Sequence, residues 1–315
     1  MNWLIAHRVA SIAAANLHHR LGLPEDGFVD VFEALRRSGL MVAGDEMPSL
    51  FGAYMPPGRG RHGGILLNST MSEATIRHTG AHELGHAQMG HERCLADGPD
   101  LFSGLPRNKW PDEEKQAEAF AAWFLMPIRA VKTILTRLGL DIPREAADVY
   151  QLSLHLGTSF RGAVRHLQHL HMATPDVAAG WRSVQPARLR ARVSGQTGQP
   201  PARVWDLTSL TDGSDLHVEQ GDRLIVRTPR LSDRPTFTGP AAVMMLANPH
   251  AVELDEGAEF DIAGNIDLPS PLTVTSPAGQ TLWSGTLMPT PEDRRGLLAA
   301  AHKPLLVGPR NGARR

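Results

Sequence analysis

Ile5, Val9, Ile12, Ala13, Leu17 and Leu21 recur in steps of three and four residues, which predicts an amphipathic helix over residues 3–21, closed by Gly22, whose apolar stripe packs into a core. A second short helix is expected from Asp30 to Gly39. The period then changes. Residues 40–42, 51–55 and 64–68 read as strands, the last two joined by a turn with Pro56, Pro57, Gly58 and Gly60, so a small sheet with a hairpin is expected. Helical spacing returns over residues 72–91. After a loop rich in Gly and Pro a long helix restarts behind Pro111, with Asp112, Glu113 and Glu114 in its first turn, where the helix dipole favours acids. Pro127 bends or ends it. Residues 145–156 and 159–170 form a further helical pair, joined by Gly157 and Thr158.

Between residues 184 and 202 the chain turns to Arg, Gln, Gly, Pro and Ser with little periodicity, and a linker is expected there. Beyond it Leu216, Val218, Leu224, Val226, Leu272, Val274, Leu282 and Trp283 alternate with polar residues between Gly and Pro breaks. That pattern is an all-β module, a sandwich or barrel. The fold class is therefore α+β: a mostly helical domain with a small sheet over residues 1–183, a linker over 184–202, and a β-rich domain of open role over 203–315. Residues 311–315 are expected to fray.

Composition alters this picture little. A length of 315 residues suits two domains, and Lys+Arg 32 against Asp+Glu 33 leaves a net charge of -1, which argues against a wholesale electrostatic nucleic-acid binder. The single cysteine, Cys94, can form neither an intramolecular disulfide nor a Cys-rich zinc cage. No apolar run approaches the roughly 18 residues of a membrane span, and His7 and Arg8 interrupt the N-terminal one, so a cytoplasmic chain without a membrane partner is expected. The unusual count is His, at 15.

Two of those histidines belong to the informative motif. AHELGHAQMGH holds His82, Glu83 and His86 as HExxH. Positions four apart on a helix point within about 40° of one another, so both imidazoles reach one metal ion, and Glu83 beside them accepts a proton from water activated there. A hydrolytic zinc site needs a third protein ligand. His78 lies one turn before His82, too far along the axis to share the ion, and reads as packing or support. His91 reads as lying on a different helix face, and Cys94 is a loop thiol with no other soft ligand nearby. The better candidate is Glu114, in EKQAEAFAAWFLMP. With two neutral imidazoles it leaves residual positive charge on the zinc, and Glu118, one turn later, can accept a hydrogen bond from a ligand's free ring nitrogen. Tyr54, on the 51–55 strand, is a candidate donor to a developing oxyanion. That strand can also take an extended substrate segment by edge pairing.

FGAYMPPG, GILLNST, HTGAHELGH and EKQAEAFAAWFLMP, in that order, make residues 23–170 resemble the ImmA/IrrE family of zinc metallopeptidases, a zincin-like fold with a gluzincin-like centre. The resemblance implies one zinc ion on His82, His86 and Glu114, and Glu83 as catalytic base. It departs at Glu118, where the family often has Asn or Asp, and at His78, where an apolar residue is usual. It also implies regulatory proteolysis of a repressor or other transcriptional regulator, the expected protein partner. The alternative is a DNA-binding or sensing regulator with a non-proteolytic metal site, in which residues 145–170 imitate a helix-turn-helix using Arg161, Arg165 and His166. The segment's small net charge argues against it. DLHVEQGDRLIVRTP faintly resembles a strand pair of chagasin-type protease-inhibitor domains, which would make the C-terminal module an interaction or self-inhibiting domain.

Overall fold

The computed structural model describes residues 1–58, 62–91, 106–194, 201–208, 210–211, 213–227, 235–247 and 258–289. Gly60, Cys94, residues 195–200 of the expected linker and the terminal residues 311–315 lie outside the described residues. Contacts divide the chain into two compact units, Met1–Ala130 with Leu156–Ser159, and Val131–His155 with Phe160–Thr290.

In the first unit, α1 (Trp3–Leu21) opens on an Asn2 cap that accepts Ile5 N–H and closes on Gly22 in the left-handed conformation. Its buried face corrects the sequence expectation. Ala6, Ala10, Ala14, Leu17 and His18 are buried, whereas Ile5, Val9 and Ile12 remain 46, 42 and 63% exposed. Small alanines every fourth residue let α1 lie close against α4 (Asp112–Leu125), and the His18 ring reaches Phe124 O at 2.9 Å. Short α2 (Val31–Arg37) is capped by Asp30, whose carboxylate accepts the N–H groups of Phe32 and Glu33.

The strands β1 (Met41–Asp45), β2 (Gly52–Met55) and β3 (Gly64–Asn68) form one sheet in the order β1-β3-β2. The expected hairpin is β2 against β3, antiparallel, while β1 joins β3 in parallel, leaving β2 an edge among the described strands. The sheet packs on α3 (Glu73–Met89), a helix buried on all sides from Ile76 to His86 except for the half-exposed His78. A Cβ on Gly52 would stand 2.5 Å from Thr79 Cγ2, so glycine is what lets β2 touch that helix. Arg77, fully buried, ties α3 to the loops: it donates to Gly157 O at 2.9 Å and Val29 O at 2.7 Å, with its guanidinium 3.8 Å over the Phe28 ring. Its close neighbour Gly157 adopts φ 60°, and a side chain there would meet both Phe28 and Arg77 within 3 Å.

Helix α4 ends at Leu125, as Pro127 demands, and α5 (Ile128–Arg137) restarts behind it. The run Asp112–Arg137 is long and apolar enough to span a bilayer, but 56% of its apolar window is buried inside the protein, as in a core helix.

The second unit holds the pair α6 (Ala146–His155) and α7 (Phe160–His169), then α8 (Pro175–Ser183) and α9 (Pro186–Ser194). Helix α9 occupies half of the expected linker. Only Leu189 and Val193 mark its core face, too few to register as a period. The C-terminal strands are β4 (Val204–Asp206), β5 (Ser214–His217), β6 (Arg223–Val226), β7 (Thr236–Thr238), β8 (Met245–Ala247), β9 (Ala258–Ile262), β10 (Ser270–Thr275) and β11 (Thr281–Met288). They form two four-stranded mixed sheets, β5-β11-β10-β7 and β4-β6-β9-β8, that meet where Phe237 stands edge-on to Phe260 at 4.2 Å. The architecture is α+β as expected. The unit boundary differs from a cut at residue 183, because Tyr150 Oη accepts Val204 N–H at 3.0 Å and the Gln151 amide bridges Val204 O and Asp206 N, joining α6 to β4. β5 and β6 belong to different sheets, so DLHVEQGDRLIVRTP is not the strand pair its resemblance required.

Candidate metal centre

The centre is built where α3 crosses α4. On α3 the one-turn spacing brings the His82 and His86 rings together, with centroids 4.9 Å apart and planes tilted by 59°. On α4 Glu114 lies in the first turn and is 1% exposed. The crossing is close because residue 85 is glycine: a Cβ there would sit 3.0 to 3.1 Å from the Phe120 ring and Cβ.

His82 Nε2, His86 Nε2 and Glu114 Oε2 converge on one point. Their separations are 3.1 Å between the two nitrogens, 3.2 Å from His82 to Glu114, and 3.6 Å from His86 to Glu114. Ligand atoms about 2.0–2.1 Å from a tetrahedral zinc lie about 3.3 Å apart, so the spacing fits such an ion. The chemistry of the set fits as well: two imidazoles and a carboxylate make an electron-rich cluster that a divalent cation neutralises, and Glu114 Oε1 is buried without a hydrogen-bond partner. Burial pushes the Glu114 carboxyl up, but the imidazoles of His82 and His86 bonded to it outweigh that effect and hold it down to about 2. It is therefore an ionised carboxylate in a buried place. This is the one candidate group of three or more metal-ligating side chains among the described residues.

Around the trio the structure adds partners. Glu118 Oε2 lies 2.8 Å from His78 Nε2 and 3.9 Å from His82 Nδ1, while its Oε1 accepts Arg107 Nη2–H at 3.0 Å. The two positions that depart from the family pattern thus touch each other. Burial raises the Glu118 carboxyl, and His78, His82 and Arg107 together outweigh it, holding it well below the usual carboxylate range. Arg107 is itself braced over the rings of Trp3 and Trp110, at 4.6 and 4.9 Å.

His91 overturns the sequence reading. The helix ends at Met89, Gly90 takes φ 68°, and the reversed chain returns the His91 ring to His86, the two Nδ1 atoms lying 2.8 Å apart. His91 Nε2 faces Gln116 Oε1 at 3.1 Å, and burial pushes the His91 imidazole down despite that bond. Gln116 and Arg107 carried no sequence signal. Gly90 did, since a glycine at the end of a helical period marks a chain reversal.

Glu83, 1% exposed, lies on α3 between His82 and His86, the two candidate ligand histidines. Tyr54 is buried on the edge strand β2, opposite Ile65 of β3. In the helical pair, His166 is 1% exposed and faces the core of its own unit, which removes it as a nucleic-acid contact.

A helix bearing HExxH, completed by a glutamate from a second helix, defines a metallopeptidase-like centre. Residues 45–156 match the family model Peptidase_M78, described as IrrE N-terminal-like domain. The resemblance to the ImmA/IrrE family is borne out over these residues, which form a metallopeptidase-like domain. The comparison with curated proteins finds no match.

Proposed function

We propose that this chain is a cytoplasmic zinc-dependent endopeptidase whose substrate is a protein, a transcriptional regulator being the expected one. The observation that carries the reading is the convergence of His82, His86 and Glu114 at the ligand spacing of a tetrahedral ion. Zinc bound there would supply a Lewis acid that polarises a carbonyl and brings the pKa of water to about 7. Glu83 accepts the proton of the attacking water and returns it to the leaving amide nitrogen. Glu118 orients His82 through its Nδ1 side. The β2 edge takes the substrate as an added strand beside α3, with Tyr54 as a candidate oxyanion donor. The paired β-sheets of the second unit are the candidate surface for a protein partner.

The test is metal analysis of the purified chain beside Glu114→Ala and Glu83→Gln, followed by incubation with candidate regulators. Wild type is expected to hold one zinc, Glu114→Ala to lose it, and Glu83→Gln to keep it while cleavage slows by about 100-fold or more. A Glu83→Gln chain that holds zinc and cleaves at the wild-type rate refutes the base assignment.

A further inference from the structure

We infer that His91 and Gln116 are positioning residues: a hydrogen-bonded relay through them sets the tautomer of His86, so that its Nε2 lone pair is presented to the ion. The inference rests on the metal-centre reading above and extends it to two side chains outside the trio of His82, His86 and Glu114.

The relay begins with the helix end. Gly90, left-handed at φ 68°, turns the chain back, and the His91 N–H bonds His86 O at 3.0 Å, so the residue five positions on lands beside His86 instead of on another face. The ring contact that results is nitrogen to nitrogen, His86 Nδ1 to His91 Nδ1 at 2.8 Å. One of those atoms must donate and the other accept. Gln116 decides which. Its Oε1 lies 3.1 Å from His91 Nε2, while its amide Nε2 turns to Met1 Sδ at 3.5 Å. A carbonyl oxygen only accepts, so His91 carries its proton on Nε2 and offers a bare Nδ1. His86 then donates from Nδ1, and its Nε2 is left without a proton, on the side where His82 Nε2 and Glu114 Oε2 converge. Running the relay backwards, from an amide N–H, would put a proton on His86 Nε2 and close the ligand position. The second imidazole is handled otherwise: His82 has a carboxylate, Glu118, on its Nδ1 side.

The experiment compares zinc dissociation constants, by chelator competition on the full chain, for wild type, His91→Ala, His91→Asn, Gln116→Leu and Gln116→Glu. It adds nitrogen-15 imidazole spectra of each chain without metal. His91→Ala is expected to weaken zinc binding about 10- to 100-fold and Gln116→Leu about 10-fold, the range usual for hydrogen-bond partners of ligand histidines. Because Gln116 is half-exposed on α4, its replacement tests the relay without opening the core. His91→Asn places a carbonyl oxygen where Nδ1 stood, and Gln116→Glu keeps the acceptor, so both return to within about threefold of wild type. Metal-free wild type shows His86 protonated at Nδ1, and Gln116→Leu mixes its tautomers. Affinities within about twofold of wild type in both His91→Ala and Gln116→Leu would overturn the relay. So would a His86 protonated at Nε2. A wild type that takes up no zinc while His86 keeps its Nδ1 proton overturns the metal reading instead, so the two failures are told apart.

Discussion

His78 and Glu118 show how single side chains at this centre act through one another. Each departs from the family pattern, one on α3 and one on α4, and together they form a 2.8 Å contact whose carboxylate also faces His82. Replacing either one alone removes their contact while Arg107 stays on Glu118, so the pair is expected to be coupled. In a double-mutant cycle with His78→Leu and Glu118→Asn, urea unfolding of the metal-free chain is expected to give a coupling of about 0.5–1 kcal/mol, kept small because the His78 side chain is 40% exposed. Additive effects would refute it. At this scale HExxH was readable because a helix imposes the spacing of four residues whatever surrounds it. The contacts of Glu118 with His78 and Arg107 were not readable, because they join residues 40 and 11 positions apart through a fold.

At the scale of elements, α3 is the organiser, and its two internal glycines do different work. A Cβ on Gly80 would meet Val31 Cγ2 at 3.5 Å, an ordinary contact, whereas one on Gly85 would press the Phe120 ring at 3.0 Å. Gly80→Ala is therefore expected to raise stability by up to about 1 kcal/mol through helix propensity. Gly85→Ala is expected to lower it by about 1–2 kcal/mol, and to weaken zinc binding by shifting the helix that carries Glu114. Thermal melts with and without zinc check both; shifts of the same sign would sink the distinction. Apolar spacing misjudged α1 for a related reason. The larger Ile5, Val9 and Ile12 make the stronger pattern, but close packing against α4 selects the alanine stripe.

For the whole molecule, pH exposes the buried groups of the second unit. Burial pushes the His155 imidazole down to about 3, with Arg137 and His217 adding to it, and the ring stands edge-on to Trp205 at 5.3 Å. The folded chain refuses a proton that the unfolded chain takes below about pH 6.5, so this residue removes up to about 1.4 kcal/mol per pH unit as the solution is acidified from there. Glu259 has the opposite sign. Burial raises its carboxyl to about 7 against the pull of Arg223, so its folded form gains stability as pH falls from about 7 to 4.5. The two nearly offset each other over that window, and of the two only His155 acts below it, where the depressed carboxylates Glu114 and Glu118 also lose stability. His155→Phe is expected to gain on wild type by about 1 kcal/mol per unit between pH 6.5 and 4.5, read from urea midpoints. Parallel pH profiles for the two chains would refute the assignment.

Local patterning determined much of this protein by itself: the order of helices and strands up to residue 170, the α+β class, and a candidate metal-binding motif whose two imidazoles share a helix face. Each follows from backbone periods that act within a few residues. Tertiary structure alone decided which stripe of α1 is buried, that α6 is bonded to the β-rich part, and how His91 and Gln116 bear on His86. Those outcomes depend on close approach between distant segments, where the volume of one side chain and the donor or acceptor character of another select the arrangement.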